Sequence, residues 1–381
     1  MIDFYVVTSG NLNSLDGASK FCRTLCSDKA FWKSNGINVI PLSNSAAFSN
    51  AKEYTASAKH MIKQAIKKIL ESKNIGKNLS FFEYSLRRLG KRVVDQIPDK
   101  MDASTWLLIN DLNVAGNYYE KYGDTYNTIF MMHNSGELLS MLKPIMQSKK
   151  IERYLRQLEV TIYDKTTKLV FVSKKAYDVF VQSHPQYKEK CEYVFNGIED
   201  FELDLSNRDY SKLRLVTIGT VGKRKNQIAA IKAVKKTDDS DIELTVVGDG
   251  PMYQECMEYV RTNQLTNQIT MVGAQTDVKP FLCEANAFIM TSLDEGLPIA
   301  ATEALSASLP IAITAVGGCK DLVKNNGILI KPGSDEEIVK AINFLKDNIC
   351  RLKEMGENSR KLYIENFTLK RMLERYLSIV S

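Results

Sequence analysis

The sequence predicts an α/β protein built from two doubly wound, parallel-sheet domains. Three observations carry that prediction. The chain has 381 residues, more than one compact core usually serves, and either half is long enough to bury its own. Short apolar runs of strand length alternate with helical periodicity in both halves, the pattern of successive βαβ units. The stretch 287–323, AFIMTSLDEGLPIAATEALSASLPIAITAVGGCKDLV, reads as strand, polar loop, helix and strand, the repeating unit of such a sheet.

In chain order, Phe4–Val7 is a first parallel strand. A helix follows from about Ala18 to Ser34, stopped by Asn35-Gly36, and residues 37–43 are the next strand. Gly17 stands at the first strand-to-helix turn. A glycine there lets a ligand approach the backbone, or simply serves the turn. From Tyr54 to about Ile97 the pattern is helical, in pieces broken near Gly76 and Asn78. Within it, Leu79–Val94 sets residues 79, 82, 86, 89 and 93 on one apolar stripe. Trp106–Ile109 and Thr128–Met132 are strands, and the second runs straight into His133-Asn134-Ser135-Gly136. Residues 138–176 are mostly helical with a strand at Lys168–Val172, and Tyr193–Phe195 is a short strand. Asn196-Gly197 signals a turn, and the polar, acidic stretch Glu199–Tyr210 follows. The division therefore falls at 197/198, giving domains 1–197 and 198–366, then a last helix at about 367–381.

The second domain opens with the strand Leu213–Ile218. Gly219-Thr220-Val221-Gly222-Lys223-Arg224-Lys225-Asn226 comes next, then a helix to about Lys236. A glycine-bearing loop with clustered base at a helix start suits phosphate: Arg offers a planar fork and Lys a point charge. The same run also fits a solvated basic turn. Glu243–Gly248 is a strand ending in Gly248-Asp249-Gly250-Pro251, only part of a dinucleotide fingerprint. Ile269–Val272, Ala287–Met290, Ile311–Thr314 and Gly327–Ile330 are the remaining strands. Gly317-Gly318 precede a helix, and Glu336–Asp347 is an amphipathic one. Asp239-Ser240-Asp241 has a metal-binding look, but it precedes a strand, at the sheet edge opposite to where ligands bind. It reads as a surface turn, and no metal is expected.

Within 287–323, Pro298 suits the first turn of a helix running to about Ser308. Glu295 falls in the loop at the strand's carboxyl end, and Glu303 one to two turns into the helix. Open α/β sheets bind ligands outside the carboxyl ends of their strands. Both carboxylates can then face one crevice, with the N–H groups of Gly296, Leu297 and Ile299 and the positive helix end between them. That set fits a nucleotide-sugar: diphosphate on the amides, sugar hydroxyls on one Glu and ribose hydroxyls on the other. An isolated pair of acids eight residues apart is a common surface pattern, so the reading depends on the basic loop at 219–226.

Composition narrows the class. The net charge is +6 and uneven. Residues 1–200 hold 28 Lys+Arg against 21 Asp+Glu, and Lys52–Arg92 alone holds 11 against three. Such a run is a solvated helix face or a face for an anionic surface such as a phospholipid leaflet. Nucleic acid is not expected, since no recognition motif accompanies the charge. The seven cysteines are scattered without a C-x-x-C pair, which argues for reduced thiols in the cytosol. No apolar run is long enough to span a bilayer and no secretory leader is evident. A cytoplasmic protein, peripheral at most on the inner membrane face, is expected.

Five segments together resemble family 4 of the retaining GT-B glycosyltransferases, also described as glycosyl transferases group 1. They are VTIGTVGKRKNQ, LTVVGDGP, the run from ITMVG to PIAIT at 269–314, AVGGCKDLV and GILIKPGSDEEIVKAI. The first half is similar more loosely, through Asp16-Gly17, His133, residues 170–173 and Asn196-Gly197. The resemblance implies two Rossmann-like domains facing across a cleft, with the last helix crossing back to the first. It implies a nucleotide-sugar donor, most often UDP-linked, no cofactor, and a saccharide or lipid-linked acceptor. By position it gives Glu303 the ribose and Glu295 the donor sugar. Arg224 and Lys225 would hold the diphosphate, Gly17 would lend it an N–H, and His133 would meet the donor sugar. Gly219, Gly296, Leu297 and Pro298 would shape the donor site, and Val272, Gly273, Ala274 and Gln275 would line the nucleobase pocket. One departure stands out: many relatives carry Arg directly after the glycine matching Gly219, where this chain has Thr220, which leaves Arg224 to fill the role.

Two other readings share the architecture, a sugar-nucleotide 2-epimerase and a non-catalytic binding subunit. The first would act without an acceptor. The second is disfavoured because both acids and the basic pair are present. A nicotinamide dehydrogenase is poorer, because its glycine fingerprint is incomplete.

Overall fold

The computed structural model describes residues 1–12, 17–44, 88–139, 148–206 and 208–381. The basic run Lys52–Arg92 lies outside them up to residue 87, as does Asp16; residues 88–94 are helical. The chain forms two compact units. One comprises Met1–Phe171, Tyr177–Tyr193 and Tyr376–Ser381; the other comprises Val172–Ala176 and Val194–Arg375.

The first unit is a six-stranded sheet, all parallel: β1 Ile2–Val7, β2 Ile37–Leu42, β3 Trp106–Ile109, β4 Asn127–Met132, β5 Lys168–Phe171 and β6 Cys191–Tyr193. Its order is β2-β1-β3-β4-β5-β6. β2 is an edge strand, which is why Pro41 can sit in it: a missing N–H there costs no ladder bond to an outer neighbour. The helix expected over 18–34 is two, α1 Gly17–Leu25 and α2 Lys29–Ser34. Asp28 makes the break by accepting the Phe31 N–H at 2.8 Å, an N-cap in mid-span. α3 Leu112–Tyr122 and α4 Lys149–Lys165 follow, capped by Asp111 and Ser148, and then α5 Lys174–Ser183. Of the helical reading over 138–176, residues 140–147 lie outside the described residues.

The second unit has its own parallel sheet of β7 Leu213–Ile218, β8 Ile242–Val247, β9 Ile269–Gly273, β10 Ala287–Met290, β11 Ile311–Thr314 and β12 Gly327–Ile330. The order β12-β11-β10-β7-β8-β9 is the doubly wound order of dinucleotide-binding sheets. The chain winds outward from β7 to β9, returns to β10 on the other side of β7, and winds outward again. The switch point lies between β7 and β10, which pair directly. β10 is wholly buried, as apolar as a central parallel strand requires. The helices are α6 Gln227–Thr237, α7 Tyr253–Thr262, α8 Lys279–Glu284, α9 Ile299–Ser306, α10 Asp335–Asp347 and α11 Leu352–Asn366; α12 Leu369–Val380 belongs to this unit up to Arg375 and to the first from Tyr376.

Two details of α9 differ from the sequence reading. Pro298 is the N-cap in extended conformation (ψ 113°), so the helix begins at Ile299. The helix ends at Ser306, because Ser308 takes the left-handed conformation (φ 53°). Its N–H then bonds Leu305 O at 3.1 Å, and the Leu309 N–H reaches back to Ala304 O at 3.0 Å, a Schellman stop made with serine in place of glycine. Arg208 donates to the Ala307 and Ser308 carbonyls, 2.9 Å each, and to Leu282 O of α8 at 2.9 Å. One cation thus serves two helix carboxyl ends, where the dipole favours it. The helix expected after Gly317-Gly318 is a tighter 3-10 turn, Gly317–Leu322.

Candidate donor site in the second unit

The site is built where the sheet order reverses. The loop leaving β7 and the loop leaving β10 emerge side by side at the carboxyl edge, and hydrogen bonds to main-chain carbonyls tie them together. Leu293 N–H donates to Arg224 O at 2.8 Å, and Thr291 Oγ1 to Asn226 O at 2.8 Å. The side chains complete the tie. Arg224 Nη1 donates to Asp294 O at 2.9 Å and to Glu295 Oε2 at 3.1 Å. Lys225 Nζ lies 2.7 Å from Glu295 Oε1. The carboxylate is thus held between two cations, with Glu295 6% exposed, Lys225 15% and Arg224 48%. Burial pushes the Glu295 carboxyl up, but Lys225 and then Arg224 outweigh it and hold the group below its ordinary value. The cluster of these three keeps one surplus positive charge.

Glycine makes this packing possible. Gly219 (φ 142°) lies under the Lys225 side chain. Gly248, also at φ 142°, lies so close to Gly219 that an added Cβ would stand 2.0 Å from Gly219 O. Gly248→Ala is expected to cost about 2–4 kcal/mol of stability, read from urea unfolding, because strained backbone and a main-chain clash add together. The loop 219–222 is closed from below by Gln227, 3% exposed. Its amide donates to Thr220 O at 3.1 Å and accepts from the Gly222 N–H at 3.3 Å. Nothing in the sequence marks Gln227 for this task, although it ends the segment VTIGTVGKRKNQ. On the other side, the 3-10 turn Gly317–Leu322 packs over the loop after β10. A Cβ on Gly317 would meet Glu295 O at 1.7 Å, and Gly318 N–H donates to Gly296 O at 2.7 Å. The glycine pair is plain in the sequence, but its task of clearing the Glu295–Gly296 peptide emerges only in the fold. Cys319, fully buried, has its thiol pushed well up by burial and then by the Glu295 charge, so it stays a neutral thiol beside the site.

Gly296, Leu297 and Pro298 lead into α9, whose amino end is capped by no side chain. Glu303 sits in the second turn of α9 and is 4% exposed. Val272 and Gly273 end β9 at the same carboxyl edge, and Ala274 and Gln275 follow them. Gly273 (φ 81°) lends its carbonyl to Gly248 N–H at 2.8 Å, which joins that segment to the glycine loop. Asp239 and Asp241 fall before β8, at the opposite edge, with Lys346 Nζ 3.6 and 3.5 Å from them. Among the described residues no group of three or more His, Cys, Asp and Glu could hold a metal ion.

Gly17 and His133 belong to the first unit. Gly17 starts α1. His133 follows β4, with Nε2 2.6 Å from Asn110 Oδ1 and its ring edge-on to Phe21 at 5.2 Å between centroids.

Two six-stranded parallel sheets of this kind, with their flanking helices, define the GT-B class of glycosyltransferase folds. Residues 200–362, which contain the whole constellation around Glu295, match the model of the family described as glycosyl transferases group 1. Among curated proteins the chain is similar to the phosphatidylinositol N-acetylglucosaminyltransferase GPI3 subunit of Saccharomyces cerevisiae, 26% identical over 48% of this chain and 44% of that one. It is also similar to the Escherichia coli UDP-Gal:alpha-D-GlcNAc-diphosphoundecaprenol alpha-1,3-galactosyltransferase, 22% identical over 60% of this chain and 63% of that one. The chain thus spans about half the length of the curated relatives it matches. Among solved structures, Anabaena Alr3699/HepE in complex with UDP-glucose superposes with a TM-score of 0.73 at 14% identity, over 100% of this chain and 99% of that one. No described helix is long and apolar enough to cross a membrane.

Proposed function

We propose that this chain is a retaining, metal-independent glycosyltransferase of family 4. It would move a hexose-type sugar from a nucleotide-sugar, UDP-linked, to a saccharide or lipid-linked acceptor. The observation that carries the reading is the Arg224–Glu295–Lys225 cluster at the switch point, set between the Gly219 loop and the amino end of α9. Breaking the anomeric bond leaves negative charge on the diphosphate. Fixed cations and helix amides stabilise that charge where it develops, with no reorganisation at the moment of reaction. Lys225 and Arg224 are the cations, and the N–H groups of Gly296, Leu297 and Ile299 are the dipoles. Glu295 is the acceptor for donor-sugar hydroxyls, Glu303 for the ribose, and Val272–Gln275 the lining of the base pocket; the roles of Gly17 and His133 rest on the family resemblance alone. The acceptor attacks from the face the diphosphate leaves, and a phosphate oxygen takes its proton, which retains the anomeric configuration.

The relatives named for phosphatidylinositol and diphosphoundecaprenol acceptors, together with the basic run Lys52–Arg92, support a lipid-linked acceptor. We infer that this work is done in the cytoplasm at the inner membrane face, a surface that the basic run suits. The test is thermal unfolding against a panel of nucleotide-sugars, followed by an assay of the best ligand with soluble and lipid-linked acceptors. A UDP-sugar at 100 times its Kd is expected to add about 2.7 kcal/mol of stability, and sugar is expected to move only when acceptor is present. Turnover without acceptor would favour the epimerase, and no stabilisation by any member would remove the reading.

A further inference from the structure

Among the polar groups at the carboxyl edge of the first sheet, one chain of hydrogen bonds has its direction fixed at every link. β1 and β3 are neighbours at that sheet's own switch point, and Thr8, Asn110 and Asp111 stand just beyond their ends. The Asp111 carboxylate can only accept. Its Oδ1 takes the Val114 N–H at 3.1 Å, and its Oδ2 takes the Ser9 N–H at 2.7 Å and the Thr8 hydroxyl at 3.1 Å. Thr8 has one proton, and Asp111 has it. Thr8 Oγ1 is therefore an acceptor toward everything else, and it receives the Gly10 N–H at 3.2 Å and Asn110 Nδ2 at 3.4 Å. One donor and two acceptor positions exhaust a hydroxyl. An Asn110 amide turned the other way would set its oxygen lone pairs against those of Thr8, with no proton between them. Asn110, 5% exposed, is thus held with Nδ2 toward Thr8 and Oδ1 toward His133. The 2.6 Å contact between Asn110 Oδ1 and His133 Nε2 can then be a hydrogen bond only if Nε2 carries the proton.

We propose that Asn110 is a positioning residue, set by Thr8 and Asp111, which locks His133 in its Nε2–H tautomer. The neutral ring then has its lone pair on Nδ1, so toward a hydroxyl of a bound sugar His133 would be an acceptor. The order of protons resembles a carboxylate-oriented histidine, but Thr8 and an amide stand between the carboxylate and the ring. The ring feels the direction of the chain without a full negative charge against it. A contact to a sugar rests on the function proposed above; the tautomer does not.

The test is nitrogen NMR of the ligand-free chain labelled at histidine, practicable because there are three histidines, His60, His133 and His184. At a pH where the ring is neutral, His133 is expected to show a single Nε2–H form with its proton protected from exchange. Thr8→Ser keeps the hydroxyl and is expected to leave that signature intact. Thr8→Val, of nearly equal shape, is expected to release the amide and give a mixture of tautomers with an exchanging proton. Asn110→Ala is expected to do the same, and the Thr8 pair keeps the test valid where that variant does not fold. If transfer is assayed, Thr8→Val lowers kcat while UDP binding is unchanged, whereas a purely structural loss would lower both. An Nδ1–H form in the parent protein, or the parent signature in Thr8→Val, overturns the proposal. Failure of sugar transfer with the Nε2–H form present would instead count against the function.

Discussion

Exchanging Lys225 for Met is expected to slow sugar transfer by about 10²–10³-fold, the usual loss when one fixed charge facing the developing anion is removed. Lys225 is the better target of the two cations. It is the more buried, so its charge is less screened, and it rises over Gly219 where that loop leaves β7. The variant leaves Glu295 with Arg224 alone. Removing one partner of a buried pair can cost about 3–5 kcal/mol of stability, so lost activity must be separated from lost fold. The double variant Lys225→Met, Glu295→Gln does this. It removes both charges together, is expected to unfold later than the single variant, and is expected to stay equally inactive. A single variant that turns over near the parent rate would refute the role of Lys225.

Glu295→Gln is expected to split binding from catalysis. In the parent protein the carboxylate already occupies the two cations, so a diphosphate arriving there meets a resident negative charge. Glutamine keeps the shape and removes the charge. The variant is expected to bind UDP about 10-fold more tightly, a change of ~1.4 kcal/mol, well within what one charge contributes at these distances and an intermediate dielectric. Transfer moves the other way. The hydrogen bond from a sugar hydroxyl to a charged acceptor is lost, and kcat/KM is expected to fall about 10–100-fold. Acid stability supplies a second check. The folded-state pKa of Glu295 is depressed below 4.5, so its contribution is complete above that value and is lost as pH falls through the lower folded value. The parent chain is expected to lose stability on acidification below 4.5 more steeply than Glu295→Gln.

Most of the second sheet was legible because its strands are short, apolar and bounded by glycine or polar turns. Leu213–Ile218, Ala287–Met290, Ile311–Thr314 and Gly327–Ile330 fall in the structure where periodicity puts them. Helix ends were harder. The split at Asp28 depends on whether one carboxylate turns to cap, and the stop at Ser308 on a left-handed residue that is not glycine. Neither changes the hydrophobic pattern. Around Glu295, the charged residues stand out in the sequence as a group, a basic run beside glycines and an acid at a strand's carboxyl end, although the basic run alone also fits a solvated turn. Residues that act by shape or direction do not stand out. Gln227 closes a loop, Gly317 clears a peptide, and Thr8 and Asn110 orient a ring. Each looks ordinary until the fold brings in a partner from elsewhere, as β1 and β3 do across more than 100 residues between Thr8 and Asp111.

The convergence of Arg224, Lys225 and Glu295 on one nucleoside diphosphate is tested most directly by titrating UDP into three proteins under one salt condition: the parent chain, Lys225→Met and Glu295→Gln. Affinity is expected to fall about 10-fold or more in the first variant and to rise about 10-fold in the second. Equal affinity in all three, or a fall in both, would contradict a diphosphate held by these cations in competition with Glu295.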